Sequence, residues 1–339
     1  MFFKLNKLVN QFNIGKYLKI IFIWSMILIK HFKNSVHTSI VLSKLNNNKF
    51  NLFDFIRIFF VRFFFAFSFI RNLKKIKITK ENRFEEIYFK DSVKLRDILF
   101  SLENYGYNDQ LKLKHEILNK IKEEITDENF FVDYKGLYKK ENSENKNLKF
   151  NSLDDIVSTT IGYKIKHCIL KLKNDNNFLS KVALSKNLLD IVGNYLNSKE
   201  IVCKIECFIT NPFESTEYEK KKNAQYFHYD CDYKKFIKIF IYLNDVDENS
   251  GPHVFVMNTH KKKFLKHILA ERINDEEIVK IYGKKKQIKF VKEAGSLIIE
   301  DTFGLHKGEA PKSKSRSMIV FEYGIGNSIV KKDHYIKIK

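Results

Sequence analysis

AQYFHYD, residues 224–230, reads as a β-strand in which His228 and Asp230 stand on one side, because side chains of an extended chain alternate with a period of two. Segments of the same kind lie on either side of it. Ile201–Ile209, Phe236–Leu243, Val254–Met257, Gln287–Val291, Ser296–Glu300 and Arg316–Tyr323 are short and either apolar or alternating. Turn signals such as NSG at 249–251 and EAG at 293–295 separate them. Pro212, Pro252 and Pro311 fall between the strand candidates, where a missing amide hydrogen matters least. Many short strands of this kind predict a mainly β fold, a double-sheet jelly roll.

The strand at 224–230 also carries the chemistry. A second imidazole, His306, follows in GSLIIEDTFGLHKG (295–308), where it falls at the edge of the strand after Ser296–Glu300. Two imidazoles and one carboxylate on one face of a metal leave the other positions open, the facial arrangement of non-haem Fe(II) oxygenases. Arg316 opens the strand RSMIVFEY (316–323), where a guanidinium would hold the far carboxylate of a dicarboxylate cosubstrate through two parallel hydrogen bonds. His253, His260 and His267 compete for the role of distal ligand and read as structural. His253 begins an apolar strand, and the other two lie in a lysine-rich stretch expected to be helical or solvated. Asp232 shares the parity of Asp230 and is expected at the pocket rim, whereas Cys231 is turned away.

The wording around these groups resembles the phytanoyl-CoA dioxygenase family of Fe(II)/2-oxoglutarate oxygenases. The resemblance rests on AQYFHYDCD (224–232), KIFIYLNDVDENSGPHVFV (238–256) and IIEDTFGLHKGEAPKSKSRSMIVFEY (298–323), in the family's order and near its spacing, and covers about residues 150–323. It implies a double-stranded β-helix core of the cupin-like kind, with supporting helices. It further implies that His228, Asp230 and His306 hold Fe(II), that Arg316 holds 2-oxoglutarate, and that Thr302 helps to line the same pocket. Dioxygen is the other cosubstrate. The implied reaction is hydroxylation of a C–H bond coupled to conversion of 2-oxoglutarate to succinate. In the similar halogenase branch a small residue replaces the carboxylate that Asp230 supplies here, so the resemblance favours hydroxylation. Two departures stand out: Met257-Asn258-Thr259-His260 replaces a frequent Pro-Gly-Ser-His, and Phe227 stands where Trp is frequent. Two other readings remain open at this point: a non-catalytic barrel acting as a membrane-surface or scaffold protein, and a cupin-like metal enzyme that does not use 2-oxoglutarate. The substrate is expected to be a small organic or lipid-like molecule. Lys234, Lys235, Lys307 and Lys312 near the expected rim would tolerate an anionic one.

Composition frames this reading. The chain has 339 residues, enough for a substantial core plus an appendage, and divides into an extension over residues 1–75 and an oxygenase domain over 76–339 with its β core at about 200–325. A net charge of +21 suggests an acidic partner, but the lysines are scattered through the chain. No zinc-finger spacing, glycine-rich phosphate loop or focused arginine helix accompanies them, which argues against nucleic acid. The four cysteines form neither a disulfide framework nor paired Cys-x-x-Cys, so reduced thiols and a cytoplasmic location are expected.

Within the extension, lysines interrupt the apolar run Tyr17–Phe32, leaving it shorter than the about 20 residues that cross a bilayer. Phe53–Phe69 holds nine phenylalanines, with Asp54, Arg57, Arg62 and Ser68 on one helical side. This apolar and basic helical extension is expected to pack on the domain or on a second subunit, or else to touch a membrane surface peripherally. Two amphipathic helices are expected further on, at Leu111–Ile125 and within Ser180–Leu196, the second packing on the outer face of the sheet.

Overall fold

The computed structural model describes residues 88–338 apart from 91–92, 127–129, 134–150, 163, 173–176, 271 and 327–335. The expectations for residues 1–75 therefore lie outside the described residues. In chain order the elements are α1 (Leu95–Tyr105), β1 (Tyr107–Asn108), α2 (His115–Thr126), β2 (Phe130–Asp133), α3 (Leu153–Gly162), β3 (His167–Leu172), α4 (Phe178–Ala183), α5 (Lys186–Leu196) and β4 (Ile201–Thr210). There follow α6 (Glu217–Lys222), β5 (Phe236–Tyr242), β6 (His253–Val256), α7 (Leu265–Leu269), α8 (Asp275–Tyr282), β7 (Gln287–Phe290), β8 (Leu297–Glu300), β9 (His306–Gly308), β10 (Arg316–Gly324) and β11 (Ile336–Ile338).

The strands form two antiparallel sheets. The larger runs β1-β8-β5-β10-β4-β3-β2, with β11 also on β4, and the smaller runs β7-β6-β9. Phe240, Tyr242, Ile298, Met318 and Val320 of the larger sheet pack against Phe255 and Phe290 of the smaller one, so the sheets face each other across a shared interior. This is the expected jelly roll.

Alternation decides what each face of the large sheet meets. Ile237, Ile239 and Ile241 of β5, Ile319 and Phe321 of β10, and Cys203, Ile205, Cys207 and Ile209 of β4 point outward into one apolar cluster. They meet Ile98, Leu99 and Leu102 of α1 and Leu188, Ile191 and Val192 of α5. Each fully buried aliphatic side chain here contributes about 1.5–3 kcal/mol of transfer free energy, so the outer face carries much of the stability. All four cysteines are free and buried, and burial pushes the Cys168 thiol up to about 12. Among the described residues no helix is long and apolar enough to cross a membrane.

Two helices differ from expectation. The one expected from Leu111 starts at His115, because Leu111 and Leu113 alternate with Lys112 and Lys114 and follow an extended path that buries both leucines. Leu113 N–H donates to the Gly295 carbonyl at 2.9 Å there. The one expected within Ser180–Leu196 is two helices. Leu184 closes α4, and Ser185 leaves helical geometry, with ψ at 144°, before α5 begins.

The β5–β6 connection joins the two sheets and is tightly specified. Asp247 Oδ1 accepts hydrogen bonds from Asn249 N, Ser250 N and Ser250 Oγ. Gly251 follows with φ at 69°, and a Cβ there would stand 2.5 Å from the Glu309 carbonyl oxygen and 2.6 Å from Pro311 N. Both the backbone conformation and the space demand glycine. Gly251→Ala is expected to lower the free energy of unfolding by roughly 2–4 kcal/mol, combining left-handed strain with overpacking against backbone. Urea denaturation of the variant beside the parent measures this, and equal midpoints would contradict it.

Candidate metal centre

The site begins with a backbone pairing. His228 and His306 form an isolated antiparallel bridge in which His228 N–H donates to the His306 carbonyl at 3.0 Å and His306 N–H donates back at 2.8 Å. The two imidazoles therefore emerge side by side, with ring centroids 4.3 Å apart. Each ring is fixed in one tautomer. His228 Nδ1 lies 3.0 Å from the Tyr226 carbonyl and His306 Nδ1 lies 3.0 Å from the Gly304 carbonyl. A carbonyl only accepts, so each Nδ1 carries a proton and each Nε2 is the nitrogen left to offer its lone pair when a metal binds.

Asp230 completes the set. Its N–H donates to the Thr302 carbonyl at 2.8 Å, and its carboxylate oxygens stand 3.8 Å from His228 Nε2 and 3.4 Å from His306 Nε2. The three donor atoms lie within 4.8 Å of one another, the spacing of ligands around a single ion. Two neutral imidazole nitrogens and a carboxylate suit a divalent first-row metal with positions to spare.

The strand expected over residues 224–230 is not formed as such. Only Phe227, bridged to Ile273, and His228 pair with a neighbour, and Ala224 has a positive φ of 57°. Hydrogen bonds to the 302–306 segment, rather than a continuous ladder, hold His228 and Asp230 together.

Charge around the centre is dense. Lys238 Nζ lies 2.9 Å from Asp230 Oδ2, 3.1 Å from Asp232 Oδ2 and 3.2 Å from Glu322 Oε2. Burial opposes the lysine charge, but these three carboxylates more than reverse that and hold its ammonium well above the ordinary range. Burial likewise pushes the Asp230 carboxyl up, and the charges of Lys238 and His306 overcome it, leaving Asp230 well below the usual range. Burial drives His228 well below the ordinary imidazole value, with the His306 charge adding to it. For His306, burial acts downward but the Asp230 charge and hydrogen bond prevail, so its imidazole is raised.

Arg316 is 4% exposed, and its Nε and Nη1 have no hydrogen-bond partner. Its guanidinium lies over Gly308, where a Cβ would come within 2.5 Å of Nη2. A buried guanidinium with two unpaired donor nitrogens is costly, and a carboxylate, which only accepts, is the kind of group that relieves that cost. Thr302 is fully buried and its hydroxyl also lacks a partner. Gly308 N–H donates to the Ala224 carbonyl while Thr302 accepts from Asp230, so Arg316 and Thr302 sit at opposite ends of the 224–230 segment.

The competing histidines are all buried, and of the two expected to be helical or solvated His267 lies in α7. His260 Nε2 meets the Glu103 carbonyl at 3.0 Å, and His267 bridges Tyr282 Oη and Glu277, both at 2.8 Å. His253 lies 5.6 Å from the His306 ring and contacts Glu300 at 2.9 Å. Of the lysines expected at the rim, Lys307 is buried against Asp275 and Lys235 donates to the Tyr195 carbonyl. Asp232, expected at the rim, pairs with Lys238 beside the centre, and Lys238 and Glu322 join it there without having been expected. The signal that marks them is a charged residue inside an otherwise apolar strand, as in FIKIFIY and SMIVFEY.

No family model matches the chain, and no curated protein matches it. Among solved structures it is similar to the non-haem alpha-ketoglutarate-dependent epimerase SnoN from nogalamycin biosynthesis, with 11% identity, a TM-score of 0.44, and coverage of 68% of this chain and 82% of that one. It is similar to AviO1 from Streptomyces viridochromogenes Tue57, with 12% identity, a TM-score of 0.42, and coverage of 69% and 96%. It is also similar to HygX from Streptomyces hygroscopicus, solved with iron bound, with 13% identity, a TM-score of 0.43, and coverage of 68% and 86%.

Glu300 offers a test of the site's electrostatics. Burial pushes its carboxyl up to about 8, with the His306 charge opposing and the Asp230 charge adding. An acid whose folded value exceeds its unfolded value binds an extra proton on folding, so its contribution to stability is complete below the unfolded value and lost as pH rises through the folded one. The metal-free protein should therefore lose stability between about pH 4.5 and about pH 8. Glu300→Gln keeps a hydrogen-bonding side chain and should flatten that slope. Urea midpoints of both proteins at intervals across this range decide the matter.

Proposed function

We propose that the chain is an Fe(II)- and 2-oxoglutarate-dependent dioxygenase that hydroxylates a small organic substrate, of the kind found in the phytanoyl-CoA dioxygenase family. One observation carries the reading: two Nε2 lone pairs and a carboxylate converge within 4.8 Å inside the same jelly roll that buries Arg316 with two unsatisfied donors. A metal alone would leave Arg316 unexplained, and an anion alone would leave the imidazole pair unexplained. When bound, Fe(II) and 2-oxoglutarate supply dioxygen activation coupled to release of succinate and carbon dioxide.

The chain's own residues have definite tasks. His228 and His306 donate Nε2 while the Tyr226 and Gly304 carbonyls lock their tautomers. Asp230 supplies the third ligand, and its hydrogen bond from Lys238 fixes the carboxylate plane. Arg316 pairs with the far carboxylate of 2-oxoglutarate. Phe240, Phe255, Phe290 and Met318 keep the interior poor in bulk water. Retention of a carboxylate at 230 supports hydroxylation over halogenation.

His306→Ala removes a ligand without disturbing the backbone bridge that carries it. Fe(II) affinity in an anaerobic titration should fall by more than about tenfold, since losing even a supporting partner of a metal ligand typically costs ten- to a hundredfold. Unchanged affinity in a folded variant would remove His306 from the site.

Arg316→Leu should weaken 2-oxoglutarate binding by roughly 2–5 kcal/mol, the loss expected when one partner of a buried charge pair is truncated. Iron affinity should change far less. Spectroscopic titration of the Fe(II)-loaded variant reads both, and parent-like 2-oxoglutarate binding would assign the role to another cation.

A further inference from the structure

Two segments run side by side at the surface and carry a cluster of lysines. One is the turn after β6, residues 257–264 (MNTHKKKF), and the other leaves the end of α8, residues 282–286 (YGKKK). Met257 N–H donates to the Lys286 carbonyl at 2.9 Å at one end, and at the other the Phe264 ring stands edge-on to Tyr282 with centroids 5.7 Å apart. Asn258, in the left-handed region with φ at 68°, accepts through its carbonyl from the amides of Lys261 and Lys262, both at 3.2 Å, and so closes the turn. Lys261, Lys262, Lys284, Lys285 and Lys286 are all exposed. None of the five has an ion-pair partner among the described residues, whereas Lys238, Lys289, Lys307 and Lys314 elsewhere each meet a carboxylate.

Exposed aromatic side chains flank the cluster. Phe264 is 55% exposed at one side. At the other, Asn258 N–H donates to the Tyr105 carbonyl at 3.0 Å and brings the end of α1 alongside, where Tyr105 and Phe100 are 43% and 59% exposed. Lys263, between the exposed lysines, turns inward instead. Its ammonium lies 3.5 Å from the centre of the Phe303 ring and donates to the Thr259 carbonyl at 3.0 Å, which anchors the turn to the segment that carries His306. Acidic residues do little to offset the lysines. Asp275 and Glu277 belong to the opposite end of α8 and meet Lys307 and Lys266. Glu103 adds one carboxylate beside the turn, since its carbonyl meets His260 Nε2, and leaves the cluster strongly positive.

We propose that this face is a docking surface for an anionic lipid bilayer. Lysines flanked by exposed aromatic rings suit the bilayer boundary, where ammonium groups lie among anionic headgroups and the rings settle beneath them. The long lysine stems let the charges stay hydrated while the backbone approaches closely. A nucleic acid fits less well. Neither segment contains arginine, whose planar fork matches phosphate, and the aromatic pairs close edge to face on themselves instead of offering flat faces to bases. A second copy of this chain fits less well still, because a basic face on a protein of net charge +21 repels its own copy. The face lies wholly outside the phenylalanine-rich extension, and the inference does not rest on the oxygenase reading.

The test uses the full chain with vesicles of phosphatidylcholine alone and of phosphatidylcholine mixed with phosphatidylserine. A local probe separates this face from the extension: Lys285→Cys is labelled with an environment-sensitive fluorophore, and the four native cysteines, all buried, leave the labelling selective. Mixed vesicles should shift its emission to the blue, phosphatidylcholine alone should not, and raised salt should reverse the shift. Lys261→Glu combined with Lys262→Glu should raise the lipid concentration needed by at least about tenfold, since each lysine near such a surface strengthens binding several-fold. Phe264→Ser should raise it as well, by about threefold or more, through loss of the buried ring. Circular dichroism checks that the variants fold, and Lys284→Glu combined with Lys286→Glu on the facing segment replaces the first pair if they do not. The inference fails if the label stays silent on mixed vesicles, even where the chain floats with them through another segment, or if either the charge-reversed or the Phe264 variant binds like the parent. A label that responds to polyuridylate and not to the vesicles would assign the face to nucleic acid instead.

Discussion

The interior of this jelly roll is organised around one largely enclosed ammonium group. Lys238 holds Asp230, Asp232 and Glu322 within 3.2 Å of its nitrogen. Two carboxylates about 4 Å apart repel by about 4 kcal/mol at an effective dielectric of 20, and the Lys238 ammonium between these three offsets that repulsion. It also couples the metal centre to the sheet, since Asp230 lies outside the regular strands and takes its position from the Thr302 carbonyl on one side and from Lys238 on the other. Removing one partner from such a cluster leaves the others uncompensated, whereas the cluster as a whole is worth little to stability beside an apolar equivalent. Its contribution lies in the geometry it imposes on Asp230 rather than in any gain in folding free energy.

That cost is tolerable because the two faces of the large sheet have different tasks. Isoleucines, cysteines and aromatic residues of β4, β5 and β10 pack outward against α1 and α5, while Lys204, Glu206, Lys238, Glu300 and Glu322 from the same strands and β8 face inward. The outer layer stabilises the sheet. The inner layer can then hold charges, an unsatisfied guanidinium and a metal triad without the fold depending on them. The inward aromatic cluster around Phe240, Phe255 and Phe290 reaches the site through His253, whose ring lies 4.6 Å from Phe240 and 5.6 Å from His306.

Much of this was legible in the sequence where local pattern and tertiary role coincide. β4, β5, β6, β7, β8 and β10 lie within one or two residues of their expected spans, because alternation and flanking turn residues mark them directly. Strands β2 and β3 were missed, since HCILKL and FFVD lie among charged, helix-forming residues and gain their strand character from pairing with each other and with β4. His228, Asp230, His306 and Arg316 were identified by motif, and the structure brings the first three together. The expected strand parity of His228 and Asp230 gave way to hydrogen bonding with the 302–306 segment. The buried charges could not be placed from sequence, because a lone lysine in FIKIFIY reads as an exposed position until register sets it between two glutamates.

The surroundings of Arg316 and of Lys238 are electrostatically unlike. At the Arg316 end two donors are buried without partners, so an arriving carboxylate gains hydrogen bonds that nothing in the protein now supplies. At the Lys238 end the charges already compensate one another, so an arriving molecule only exchanges water for its own polar groups. An anion arriving at the first end would meet an unmet need, whereas the second end presents a balance of charges already in place.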